Sequence, residues 1–205
     1  MPAQTLTLEA FVIEKRPLAE AFQPFVLFSA EHGNLLAFQR VSSRASPRHA
    51  FPDLFDEVSA ALETSNQGRT WFFREVRIVR RREAIGRSYD TLRFACALAS
   101  VISRNPVDEA SRAGVARLLR TALDAFGESG RPDIVYLKSL YVFARDEGYP
   151  VRQEWLPSLA KGDRDAASGL LGLPLGKQGA DAAAVARLTR SLEGYLASST
   201  DIIMP

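Results

Sequence analysis

Two histidines and one cysteine are all the imidazole and thiol chemistry in this chain of 205 residues. His32 and His49 fall in polar, turn-like stretches with no nucleophile motif beside them. A solvated loop residue is the expectation for each, not a general base. Cys96 sits inside an apolar helical run. A lone thiol forms no internal disulfide, and with two histidines it falls short of a thiolate zinc set, so a buried small residue is expected. Gly172–Gln178 (GLPLGKQ) superficially resembles a phosphate loop. Its first glycine is misplaced, Gln178 stands where a magnesium-binding hydroxyl is needed, and no strand precedes it. Asp53, Asp56 and Glu57 have the chemistry to hold a metal, but without evident partner ligands they read as a solvated acidic face. No metal or cofactor is expected, and a carboxylate-based, metal-dependent enzyme is the lesser alternative.

Arginine offers a different chemistry. Its planar fork donates paired hydrogen bonds to phosphate and stays charged. From Arg69 to Arg82 there are six arginines and one acid, Glu75, interleaved with Trp71, Phe72 and Phe73. Strand alternation predicts Arg74 on one face and Arg77 on the other, with Arg80, Arg81 and Arg82 running into a junction. Arg40, Arg44 and Arg48 form a second basic segment without acids. The formal net charge is only +2, which excludes a bulk polycation; an acidic partner has to be met by such local clusters. Of the three aromatic residues, one or two at most should point outward, the rest filling a core.

The elements that must position these arginines change character along the chain. Leu6, Leu8, Ala10 and Val12 alternate as in a half-buried strand, and Phe22–Ser29 is rich in aromatic and β-branched residues. Gly33–Asn34 tolerates positive φ and predicts a hairpin into Leu35–Val41. Ser42–His49 (SSRASPRH) reads as a polar loop, Phe51–Glu63 is ambiguous between strand and helix, and Ser65–Gly68 is a turn into the strand Thr70–Val79. Five short strands suit a small closed barrel, which removes exposed edges.

Beyond Arg82 the apolar period becomes helical. Ser88 is placed to cap a helix with Thr91, Ala95, Leu98 and Ile102 on one face. Asn105–Pro106 separates it from a second helix carrying Val115, Leu118, Leu119, Ala122 and Phe126. A third runs from Pro132–Asp133 to Gly148 through Ile134, Leu137, Tyr141 and Ala144. Arg152–Gly179 reads as loop, and a last helix from Asp181 aligns Val185, Leu188, Leu192 and Tyr195. The N-terminus lacks the basic flank and apolar core of a signal peptide. No apolar run reaches the roughly 20 residues that span a bilayer, so a soluble cytoplasmic protein is expected.

Taken in order and spacing, these segments resemble the RecO family of recombination mediators. The likeness begins at Phe11–Glu14 (FVIE) and Leu18–Ala21 (LAEA) and is clearest at Leu27–Leu36 (LFSAEHGNLL). The basic stretch Arg40–Arg48 follows, and Lys138–Pro150 (KSLYVFARDEGYP) resembles the family's helix ending in an acidic-Gly-Tyr-Pro turn. The resemblance implies an α+β protein, with an N-terminal OB-fold barrel over residues 1–82 and an α-helical domain over 83–205. It implies a non-enzymatic protein that binds single- and double-stranded DNA, promotes annealing, and works with RecR and single-stranded DNA-binding protein in loading the recombinase. Many relatives carry a four-cysteine zinc module after that turn. Val151–Gly179 contains no cysteine, so none is expected here.

The DNA-binding group is then expected among Arg40, Arg44, Arg48, Arg74, Arg77, Arg80, Arg81 and Arg82, acting on phosphates with little sequence preference. An apolar groove with a basic rim in the helical domain is the expected seat of a partner's amphipathic tail. The alternative from another class is an adaptor that contacts protein partners and barely touches DNA.

Overall fold

The structure is a computed structural model that describes residues 4–41, 51–65 and 70–205. The chain divides into two compact units. One comprises Met1–Arg82 with Pro106–Ala116, and the other Glu83–Asn105 with Arg117–Pro205. The return of Pro106–Ala116 to the first unit is not anticipated by a single cut after Arg82.

Among the described residues the first unit contains five strands besides the Pro106–Ala116 segment: β1 (Thr5–Lys15), β2 (Phe22–Ser29), β3 (Gly33–Arg40), β4 (Glu57–Thr64) and β5 (Trp71–Arg80). Antiparallel ladders join β1 to β2 and β4, β2 to β3, and β4 to β5. A short parallel ladder, Ala37 with Trp71 and Phe38 with Phe72, closes the order β1-β2-β3-β5-β4 into a barrel. The ambiguous segment Phe51–Glu63 resolves to strand only from Glu57 onward, where Val58, Ala60 and Leu62 alternate inward, with a turn before it. With Val12, Phe25, Leu27 and Ala37 they fill a barrel core in which Val12, Phe25 and Leu27 are fully buried.

The hairpin register is set at the β2–β3 turn, where Ser29 pairs with Gly33 and Phe22 with Arg40. Gly33 has φ +67°, the left-handed conformation that a side chain disfavours. A Cβ there would also lie 3.1 Å from Nε of Arg112, whose Nη1 donates to the Glu31 carbonyl at 3.0 Å. Gly33 therefore serves both the turn and a close approach.

The second unit holds α1 (Tyr89–Arg104), the length of α2 (Glu109–Glu128) beyond Ala116, α3 (Pro132–Asp146), α4 (Leu156–Ser158), α5 (Lys161–Gly172) and α6 (Ala182–Ser199). Ser88 caps α1 by accepting the Thr91 N–H, and the expected face of Thr91, Ala95, Leu98 and Ile102 is buried. Helix α3, buried on nearly every side, packs against α1 and α6. Gly148, at φ +90°, ends it.

Arg152–Gly179 is not a loop. Val151–Trp155 forms a π-turn leading into α4, and α5 and the short 3-10 turn Leu175–Lys177 follow. Val151, Trp155 and Leu159, four residues apart, are buried, as are Ala167 and Leu170. Pro157 stands in the first turn of α4, where its missing N–H has no helical partner to lose. Glycines and prolines in this stretch signalled loop, while the apolar spacing beneath them is helical. In α6 the stripe runs Val185, Leu188, Leu192 and Leu196. Tyr195 lies at its margin instead, donating to Glu154 Oε2 at 2.8 Å. No described helix is long and apolar enough to cross a membrane.

Candidate nucleic-acid interface

The basic stretch of β5 is shaped by two irregularities in its pairing with β4. Leu62 pairs with Phe73 but Ala61 pairs with Glu75, so Arg74 is an extra residue with no partner on β4. The inward positions consequently shift from Trp71 and Phe73 to Val76 and Ile78. This overturns the expectation that Arg74 and Arg77 occupy opposite faces. The bulge exposes Arg74, Glu75 and Arg77 together, because the pleat is reset between Phe73 and Val76. A second shift leaves Val79 as the extra residue, exposed, with Arg80 opposite Glu57.

Arg40 joins this region through the parallel ladder. It stands two residues beyond Phe38 on β3, as Arg74 stands two beyond Phe72 on β5, and both are exposed. Because Arg40 is the cross-strand partner of Phe22, the two share the outer face of the barrel.

The outer face also carries aromatic residues. Phe38 and Phe72 each neighbour inward residues, Ala37 on β3 and Trp71 and Phe73 on β5, and so face outward. Phe72 lies 5.4 Å from the Phe22 ring and 5.9 Å from the Phe38 ring. Of the three clustered aromatics on β5, Phe72 points out while Trp71 and Phe73 pack on the core. Phe22 and Phe38 were not singled out from sequence. The signal was present, since fixing the turn at Gly33 puts Phe22 beside Arg40 and aligns Phe38 with the same face. Glu63, the β4 partner of Phe72, is an exposed acid on that face.

Arg81 and Arg82 belong to a different structure. Arg82 is buried; its Nη2 donates to Glu57 Oε2 at 3.2 Å, its Nη1 donates to the Phe55 carbonyl at 3.2 Å, and its guanidinium sits 5.6 Å from the Phe11 ring centroid. Phe55 is itself buried with φ +69°, a conformation costly for a bulky residue, and Arg82 fastens the carbonyl of that turn. Arg82 is thus withdrawn from the phosphate-binding group proposed for it. Arg81 donates to the Phe51 carbonyl and to Asp56 Oδ2, each at 3.1 Å, and the Asp56 carboxyl also accepts the Asp53 N–H at 2.9 Å. Its side chain remains 43% exposed. Arg44, Arg48 and His49, with the rest of the Ser42–His49 loop, lie outside the described residues, as does Arg69.

The remaining chemistry-bearing residues are accounted for locally. Asp53 meets Lys15 Nζ at 3.0 Å, Asp56 meets Arg81 and Glu57 meets Arg82, so each carboxylate of the acidic trio faces its own cation. Among the described residues no group of three or more histidine, cysteine or acidic side chains is arranged to hold a metal. His32 stands at the β2–β3 turn, 3.6 Å from a Glu31 oxygen. Burial pushes the Cys96 thiol above its ordinary pKa, away from the reactive thiolate. Gln178 donates its amide to the carbonyls of Leu170 and Leu173, at the C-terminal end of α5.

In the helical unit a cleft of 430 Å³ combines Lys138, Arg145 and Arg152 with Leu156 and Leu171. Lys138 Nζ donates to the Leu170 and Leu173 carbonyls, and burial lowers its pKa. Arg145 meets Asp146 at 2.7 Å. Arg152 is exposed on the rim. No protein-family model matches this sequence, and neither does any curated protein.

Proposed function

We propose that this protein is a non-enzymatic, nucleic-acid-binding mediator of the RecO type, whose barrel is an OB-fold. The strand order β1-β2-β3-β5-β4, with antiparallel neighbours and one short parallel ladder, supports the OB reading. The observation that carries the function is the exposure of Arg40 and Arg74 where β3 and β5 meet, with Arg77 exposed further along β5. Exposed guanidinium groups on a strand platform bind phosphate through charge-assisted hydrogen bonds that carry no sequence information. Annealing then requires no bond-making step. Two strands neutralised on one protein repel each other less and meet at a higher local concentration.

The partners of such a mediator are single- and double-stranded DNA, a RecR-like protein and single-stranded DNA-binding protein. The cleft of the helical unit, apolar at Leu156 and Leu171 with Arg145 and Arg152 at hand, supports binding of a protein partner's acidic, amphipathic tail. Pairing of Asp53, Asp56 and Glu57 with cations weighs against a carboxylate-based enzyme.

Fluorescence anisotropy with labelled single-stranded DNA over a salt series tests the proposal. Binding that is micromolar or tighter at low salt and weakens steeply as salt rises is the expected result. A folded protein that leaves the anisotropy unchanged at low salt rules out direct DNA binding. If it then still captures an acidic peptide, the adaptor reading takes its place.

A further inference from the structure

Resting on the nucleic-acid reading above, we infer that Phe22, Phe38 and Phe72 form a base-stacking platform that makes the barrel select unpaired strands over duplex. The three rings lie outside the barrel core. Phe72 sits between the other two, with its plane at 64° to Phe22 and 41° to Phe38. All three residues are half-buried, none of them fully enclosed, and Leu36 on the same face of β3 is 39% exposed. An aromatic group of this size on the outside of a barrel does nothing for the core that Phe25, Leu27 and Phe73 already fill.

The occupant is set by what surrounds the rings. Arg40 projects from the cross-strand partner position of Phe22, and Arg74 follows Phe72 by two residues. Two cations at one end of an aromatic strip suit a chain that presents charge beside flat apolar groups, which describes an unpaired polynucleotide. In a duplex the phosphates remain available to the arginines, but the base faces are buried in their own stack and cannot reach the phenylalanines. Glu63 lies on the β4 side of Phe72 and repels phosphate, which directs the strand toward β2 and β3.

The test separates stacking from charge. Affinities of the full chain are measured by anisotropy for oligo-dT, for an abasic strand of the same length, and for duplex DNA. Wild-type protein is expected to prefer oligo-dT to the abasic strand by about tenfold or more, the effect of roughly one stacked base. Phe72→Leu should bring the two affinities together while leaving abasic-strand and duplex binding within about twofold, and Phe72→Trp should restore the preference. Phe38→Leu provides a second removal if Phe72→Leu lowers the melting temperature. An oligo-dT to abasic ratio near one in the wild type, or a ratio that both leucine variants leave unchanged, overturns the platform while leaving phosphate binding intact. Absence of binding to every probe overturns this inference together with the reading on which it rests.

Discussion

The middle of one arginine-rich strand and the residues just past its end have opposite fates. Arg74 and Arg77, in the middle of β5, are exposed beside a bulge, whereas Arg82, just past its end, is buried against Glu57 and the Phe55 carbonyl. The residue type is identical and the separation is a few positions. What differs is the partner: β4 offers Ser59 and Ala61 opposite the middle of β5, and its end brings Glu57 to Arg82. A run of arginines is therefore two features. One part is a surface available to anions, and the other is a clamp between strand ends and the turn at Phe55.

The largest expected effect tests the clamp. Arg82→Ala removes the Arg82 partner of the buried Glu57 carboxylate and the donor to the Phe55 carbonyl and should destabilise the protein by about 3–5 kcal/mol, read as a fall in the urea midpoint. Arg74→Ala and Arg77→Ala should shift the same midpoint by no more than about 0.5 kcal/mol. Similar losses at all three positions would erase the distinction. Arg81→Ala should fall between them, at about 1–3 kcal/mol, because the buried Asp56 carboxyl keeps the Asp53 N–H but loses its cation.

A smaller effect concerns the exposed end. Glu63→Gln removes an acid from the face that carries Phe72 and should tighten oligonucleotide binding about two- to threefold at low salt, with the gain fading as salt screens it. The smallest sharpens what pairing means without burial. Arg187 donates three hydrogen bonds to Asp163 at a partly exposed site, and those hydrogen bonds and the charge hold the Asp163 carboxyl below its ordinary pKa. The pair's contribution is present above the ordinary carboxylate pKa and is lost as pH falls through the lowered one. NMR titration of Arg187→Ala should show Asp163 returning upward to the ordinary range, with almost no change in the urea midpoint at neutral pH.

Much of this was legible in the chain itself. Gly33 announced its turn because few other residues tolerate positive φ in a tight hairpin, and Ser88 announced α1 by its capping hydroxyl. Alternation gave the inward residues of β1. The bulge at Arg74 was not legible, because a bulge belongs to a pair of strands and the β4 register is set far away in sequence. Arg82's burial was hidden for the same reason: its partner Glu57 lies 25 positions upstream. The helices between Val151 and Gly172 were masked by glycines and Pro157, whose helix-compatible placement is visible only once the turn that contains them is in place. Phe72 falls within the expectation that one or two of the β5 aromatics point outward, whereas Phe22 and Phe38 look like core residues until the register from Gly33 assigns their faces.

The central claim is that the exposed arginines where β3 and β5 meet hold nucleic-acid phosphate. It is tested most directly by the salt dependence of oligo-dT binding in Arg40→Ala/Arg74→Ala compared with wild type. Each single-strand phosphate contact contributes about 0.7 to the slope of log affinity against log salt. The double variant should lose roughly 1.4 from that slope and bind about tenfold or more weakly at low salt, with an unchanged melting temperature. A wild-type slope and affinity in the folded double variant would contradict the account.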